Sequence, residues 1–225
     1  MKIKNNHFIT RLAVAAAVIF SISSCKKDND ENSMLGARLS FVNTVEGSTA
    51  QDVYINDAKV NTSAVAYANT VTDVNTSTGS KTLSFKNTGT ATVTASADVS
   101  AEMNSSQTAF LVKQANGTMA VKTYANDETT VSGKAKVRFI NVAPLLSGAI
   151  NVTTSTGTSL ITNLLFTTAS AYQTIDANTN LNVTMTGSLD ITTIAGSELQ
   201  AGKNYIIWFD SSTTTKAKYH IVVQK

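Results

Sequence analysis

The chain has 225 residues, of which 42% are hydrophobic, 15% charged and 7% aromatic, and about a third are Thr, Ser or Asn, well above ordinary usage. A single Cys and two His exclude an internal disulfide and a His/Cys metal site, and the apolar content excludes a disordered chain. The formal charge of +3 lies entirely in residues 1–24, which hold Lys2, Lys4 and Arg11 and no acid; without those three, 15 basic residues face 15 acidic ones, and such a surface has no positive field to draw in nucleic acid.

The N-terminus reads as an export signal. Lys2, Lys4 and Arg11 precede an apolar run, Leu12–Ile22, which is far shorter than the ~20 residues a membrane-spanning helix needs. Ile22-Ser23-Ser24-Cys25 follows. An aliphatic residue and two small residues before a Cys resemble the lipobox of bacterial lipoproteins. That resemblance implies cleavage after Ser24, with Ile22, Ser23 and Ser24 read by the signal peptidase. It also implies a lipid on Cys25, and two or three acyl chains give lasting membrane attachment. The segment 25–34 is polar and without periodicity, the pattern of a flexible tether. Its acids Asp28, Asp30 and Glu31 resemble the surface-export signal of Bacteroidetes lipoproteins, which implies outer-membrane placement facing the cell exterior. A solvated charge run is the plainer reading of the same residues.

From residue 35 the sequence repeats. Ala37-Arg38-Leu39-Ser40-Phe41-Val42-Asn43 recurs as Ala135-Lys136-Val137-Arg138-Phe139-Ile140-Asn141. Further matches keep the same order: Ala64–Tyr67 with Ala169–Tyr172, Leu83–Phe85 with Leu181–Val183, and Met119–Val121 with Tyr219–Ile221. The boundary falls in the polar run Asp127–Gly133, giving repeats over 35–131 and 132–225. Inside each repeat apolar residues alternate with polar ones, the period of a half-exposed strand. Tyr205–Phe209 is apolar at every position, so that strand is expected to be buried on both faces. Turn signals such as Asn56-Asp57, Asn116-Gly117 and Ala201-Gly202 recur at sandwich-like spacing. The expected fold is all-β: two tandem antiparallel immunoglobulin-like β-sandwiches of about seven strands each. Only Leu160–Phe166 bunches its apolar residues as a short helical turn would.

The repeated opening, with Asp52-Val53-Tyr54-Ile55-Asn56 in the first half and Asn141-Val142-Ala143-Pro144 in the second, resembles the secreted bacterial domain-of-unknown-function family 4397, in two copies. The resemblance implies a β-rich extracytoplasmic module and brings no reaction with it.

Candidate chemistry is sparse. Asp210, Ser211 and His220 could form a nucleophile set, but there is no Gly-x-Ser-x-Gly elbow and a surface His is the plainer reading. Asp52, Asp73, Asp98, Asp176 and Asp190 are scattered at turns, where Asx-turn duty explains them. Asn126, Asp127 and Glu128 could hold calcium at the junction or form a solvated linker. Trp208, Tyr54, Tyr67 and Tyr172 could form glycan platforms, although packing suits Trp208 better. A Tyr at the same place in both repeats reports fold. Taken together, the sequence suggests a non-catalytic, lipid-anchored envelope protein without cofactor or metal, partnered by the membrane and by an extracellular protein or glycan. The main expectation is a binding, adhesion or structural module. The alternative is an accessory glycan-binding lipoprotein of an outer-membrane uptake system.

Overall fold

In the computed structural model residues 36–224 are described; the lipobox, Cys25 and the acids Asp28, Asp30 and Glu31 lie outside them. The alternating sequence folds into sixteen strands in four four-stranded sheets. Strands β1 (Ala37–Asn43), β4 (Thr70–Thr76), β7 (Ser106–Lys113) and β8 (Met119–Ala125) form one sheet in the order β4-β1-β7-β8. Strands β2 (Gln51–Ile55), β3 (Ala58–Lys59), β5 (Gly79–Asn87) and β6 (Val93–Ala101) form its partner, β3-β2-β5-β6. The second half repeats the plan. Strands β9 (Lys134–Asn141), β12 (Gln173–Asp176), β15 (Asn204–Asp210) and β16 (Lys218–Val223) give β12-β9-β15-β16. Strands β10 (Ile150–Thr154), β11 (Ser159–Leu164), β13 (Leu181–Met185) and β14 (Ile191–Ile194) give β11-β10-β13-β14.

Two expectations are corrected. Each sandwich has eight strands, and the sheets are not wholly antiparallel: β1 pairs parallel with β7 and β9 with β15. The first strand lies between the fourth and seventh, whereas an immunoglobulin sandwich sets it beside the second. Period-two alternation is the same for either pairing direction, so the sequence pattern could not distinguish them. Residues 160–164 are in strand β11, with no helical turn.

Each sandwich buries its own core between its two sheets. Leu39, Phe41, Val53, Leu83, Phe85 and Leu111 fill the first; Val137, Phe139, Ile150, Leu181, Ile207 and Phe209 fill the second. A third cluster joins them. Val42, Phe110 and Val112 of the first sandwich meet Ile140, Val142, Ile206, Trp208 and Val222 of the second. The sheets carrying β1 and β9 are therefore covered on both faces, as near-continuous apolar runs require. Strand β15 is buried at all seven positions, as its sequence led one to expect.

The connection between β8 and β9 is pinned. Lys136 bonds the Asp127 carboxylate and the Thr129 carbonyl, Asn204 donates to the Asp127 and Thr129 carbonyls, and Arg38 pairs with Glu128. The polar linker is thus clamped from both sides at Asp127 and Glu128, whose carboxylates are taken by cations, while residues 129–133 are exposed to solvent. Among the described residues no helix is long and apolar enough to cross a membrane.

Candidate functional site

The repeated Asn that ends each opening strand builds the site. Asn43 donates to the Val65 carbonyl at 3.1 Å and accepts from the Val45 N–H at 3.1 Å. Asn141 does the same with Leu164 (3.1 Å) and Ala143 (3.0 Å). Both side chains are buried and use both their oxygen and their nitrogen, so each fixes the loop that leaves its strand. The Asn43 carbonyl accepts from Ala68 N–H at 2.8 Å, and the Asn141 carbonyl from Thr167 N–H at 2.7 Å. Ala68 and Thr167 share a left-handed backbone (φ 63° and 59°), uncommon for residues with a Cβ and more so for a β-branched Thr. These paired bonds make Tyr67 the counterpart of Phe166. The Tyr67–Tyr172 equivalence expected from the repeat is therefore corrected, because it matched like residues instead of like positions. The same holds for Met119–Val121, which the strand register sets two residues away from Tyr219–Ile221.

The loops fixed in this way face each other across the domain junction. Residues 44–47 (β1 to β2), 113–117 (β7 to β8), 142–145 (β9 to β10) and 210–212 (β15 to β16) enclose a cleft of about 620 Å³. Val45, Val142, Pro144 and Leu145 give it apolar walls; Gln114, Asn116 and Ser212 give it amides and a hydroxyl. Its volume and its place between domains are those of ordinary ligand sites.

One side of the cleft rests on a polar network that crosses the junction. The Asp210 carboxylate accepts from Tyr67 and lies 3.2 Å from His220 Nε2. Tyr67 Oη is 3.2 Å from His220 Nε2 and accepts from Lys218 Nζ at 3.2 Å. Lys218 also donates to Glu46 at 2.8 Å, and Ser212 donates to Glu46 at 3.0 Å. Glu46 and Tyr67 come from the first sandwich and the rest from the second. Burial alone would raise the Asp210 pKa, but the bonds from His220 and Tyr67 outweigh it and hold the carboxyl below its ordinary range. Burial, reinforced by Asp210, pushes Tyr67 up to about 12. The Lys218 bond lowers Glu46. Lys218 loses some basicity to burial, yet its bonds to Glu46 and Tyr67 raise its pKa overall.

This geometry corrects several site readings. His220 is half-buried, not fully at the surface: it stacks on Trp208 with ring centroids 4.0 Å apart and keeps part of its side chain exposed. Asp210 and His220 do meet, but the Ser211 hydroxyl is buried with no hydrogen-bond partner, so no Ser–His pair forms. Trp208 is fully buried between the domains, with Tyr67 edge-on at 6.5 Å, and offers no platform to a glycan. Tyr172 is held by Gln224 at 2.7 Å, and Tyr54 lies under Lys86. Asp52 is buried against Lys59 at 2.8 Å. Thr82 bonds Asp98, Lys134 pairs with Asp176, and Thr215 bonds Asp190. Asp73 sits at a left-handed position in β4. Among the described residues no three His, Cys, Asp or Glu side chains come together as a metal would require.

The cleft itself was not anticipated from the sequence, because its walls come from four separate loops. A usable signal was present in Asp210, a carboxylate directly after the apolar run Tyr205–Phe209 that demands partners from elsewhere.

Comparison with known proteins bears on family. The family model described as a domain of unknown function (DUF4397) matches residues 37–153, just over half of the chain. It matches once, from β1 through most of β10, where the repeat had suggested two copies. No curated protein matches the chain. Among solved structures, a carbohydrate-binding module of family 26 from Eubacterium rectale Amy13K, crystallised with maltoheptaose, is 12% identical. The match covers 81% of this chain and 96% of that one at a TM-score of 0.29, too loose a likeness to carry an argument about ligand.

Proposed function

This chain belongs to the DUF4397 family, and on that premise we propose that it is a non-catalytic binding module, anchored in the cell envelope through Cys25, that presents its interdomain cleft away from the membrane. The observation that carries this reading is the direction of the strands. The chain enters at Gly36, beside Asn104, whose N–H donates to the Gly36 carbonyl at 2.9 Å. Strand β1 runs away from that point, and β7 runs parallel to it. The β1–β2 and β7–β8 loops therefore lie at the far end, and the cleft they line with their second-sandwich counterparts lies there too. A lipid on Cys25 would hold the molecule by the opposite end. Rigid sheets that carry loops to one end are a common way to present binding residues. A non-catalytic role is supported by the commitment of Asp210 and His220 to the junction network.

Placement is tested by protease shaving of intact cells. In our reading the native protein is cleaved, Cys25→Ala is released from the membrane, and the combined Asp28→Ala, Asp30→Ala, Glu31→Ala variant is protected. Protection of the native protein until the outer membrane is opened overturns exterior placement. Binding is tested by thermal unfolding with soluble glycans and peptides. A ligand at 100 times its Kd adds about 2.7 kcal/mol, about 5–10 °C in Tm for a chain of this size. Asn116→Arg at the cleft rim removes that shift; it also lowers the unliganded Tm slightly, because the Asn116 side chain accepts from the Thr118 N–H and hydroxyl, so the shift is read against the variant's own baseline. A shift by glycans alone establishes the glycan-binding alternative. Turnover that disappears in Asp210→Asn or Ser211→Ala overturns the non-catalytic reading.

A further inference from the structure

Large apolar side chains are exposed on this protein mainly at one end. Among the described residues eight are exposed: Val93, Met103, Val131, Leu145, Leu165, Leu189, Ile191 and Val223. Pairing places five of them at the cleft end. Ile150, which begins β10 just past the cleft loop, pairs with Leu164 and Met185. Leu165 directly follows the first of these, and the turn bearing Leu189 and Ile191 follows the second. Leu145 is in the cleft wall. Val93 pairs with Lys86, beside the start of β2. Hydrogen bonds show the tips to be neighbours: Ser147 Oγ donates to the Thr214 carbonyl at 3.0 Å, and Thr215 Oγ1 to Asp190 at 2.7 Å. Leu189 is 99% exposed, and Leu145, Leu165 and Ile191 just over half.

Single exposed apolar residues are ordinary, but several on adjoining loop tips are a mark of an interaction surface. The charges beside them have a sign. Glu46 is neutralised by Lys218; Asp190 keeps its charge, since the Thr215 hydroxyl that bonds it is neutral, so one acid stands against two lysines. Lys113 and Lys216, on the two hairpins of the cleft, make no ion pair among the described residues. No aromatic side chain lines the cleft, which removes the stacking surface a sugar ring would use.

We propose that the tether-distal end is a docking face for a protein partner whose own surface presents aliphatic or aromatic side chains ringed by carboxylates. Leu165, Leu189 and Ile191 insert into that surface, Leu145 continues the contact into the cleft, and Lys113 and Lys216 meet the acids at the rim. Buried apolar anchors with a charged rim are the usual anatomy of such contacts. This inference deepens the binding-module reading and rests on it.

The test uses the chain from Cys25 onward, immobilised through the Cys25 thiol so that the far end points outward as it would from a membrane. The probe is a phage-displayed library of random 12-residue peptides. The expected selection combines Leu, Ile, Phe or Trp with Asp or Glu. Retention of the selected peptides falls at least tenfold on the double variant Leu165→Asp, Leu189→Asp. On Lys113→Glu, Lys216→Glu the selected peptides become basic. These positions are exposed, and an unchanged Tm confirms that the variants fold. No selection, or selection indifferent to both variants, overturns the proposal. So does equal, leucine-dependent binding to anionic phosphatidylglycerol vesicles, which would make the face a lipid contact. If peptides fail while glycans still shift the Tm through Asn116, only this inference falls; if both fail, the binding-module reading falls with it.

Discussion

The two sandwiches share strand order, a parallel pair between first and seventh strands, and a buried Asn that fixes the same loop, yet they meet through unlike side chains. Register makes Phe110 of the first equivalent to Trp208 of the second, since each lies beside the matching residue of the opening strand, Val42 or Ile140. On the next strand Lys122 is opposite Phe110 and His220 opposite Trp208. Val112 in the first corresponds to Asp210 in the second, and Phe166 in the second to Tyr67 in the first. Phe110 packs edge-on against Tyr124 at 5.7 Å, whereas Trp208 stacks on His220. The backbone plan is therefore set twice by the same alternation, while the face each unit turns to the other is free to diverge. Divergence has concentrated polarity on one side: Asp210 and His220 partner each other and Tyr67, whose hydroxyl the Phe166 position lacks.

The strongest way to break this comparison is to remove the larger ring. Trp208→Ala should cost about 3–5 kcal/mol, on the order of 10 °C in Tm for a chain this long, measured by thermal unfolding. Trp208→Phe, which installs the first sandwich's residue, should cost less than half as much. Equal losses would mean that the junction adds little and that each sandwich stands alone.

Converting the polar side to its apolar counterpart sharpens the point. Asp210→Val, the residue at the equivalent Val112, removes the carboxylate that accepts from Tyr67 and faces His220, leaving the hydroxyl only Lys218 and His220, and should cost about 2–3 kcal/mol, the penalty for breaking a mostly buried polar group's network. Adding Tyr67→Phe, the residue at Phe166, should recover about 1 kcal/mol because no hydroxyl is then left buried. A double-mutant cycle in denaturant measures that coupling. Additive losses would show that the network does not act as a unit.

Repeats, alternation and the doubly buried strand Tyr205–Phe209 were legible in the sequence because each is local. The parallel pairing was not, since alternation is blind to direction. Tyr67 was set against Tyr172 because identity outweighs position when residues are compared without hydrogen bonds, and the Asn43 and Asn141 bonds reveal Phe166 instead. The Glu46–Lys218–Tyr67–Asp210–His220 network could not be read at all. Its members come from two strands and two loops on opposite sides of the junction, and a polar residue announces its need for a partner without saying which.

The smallest expected effect concerns pH, and it separates the two ends of the junction. At the linker, the bonds from Lys136 and Thr129 hold Asp127 down to about 2; at the cleft, His220 and Tyr67 hold Asp210 below its ordinary range. A carboxyl whose folded pKa is depressed contributes stability above its unfolded pKa and loses it as pH falls through the folded value. Both contributions are therefore intact above about pH 4 and fade on acidification, with Asp127's persisting until pH approaches 2. Asp127 is 42% exposed in its side chain, so solvent screening limits its share to on the order of 1 kcal/mol. Tyr67 acts in the opposite range. With its pKa pushed up to about 12, the unfolded chain releases that proton first as pH rises past ~10, so folding weakens between there and 12. Denaturant unfolding across pH should show the acid loss reduced in Asp127→Asn and the alkaline loss reduced in Tyr67→Phe. If both variants keep the wild-type pH profile, neither end of the junction carries its charge in the way the geometry requires.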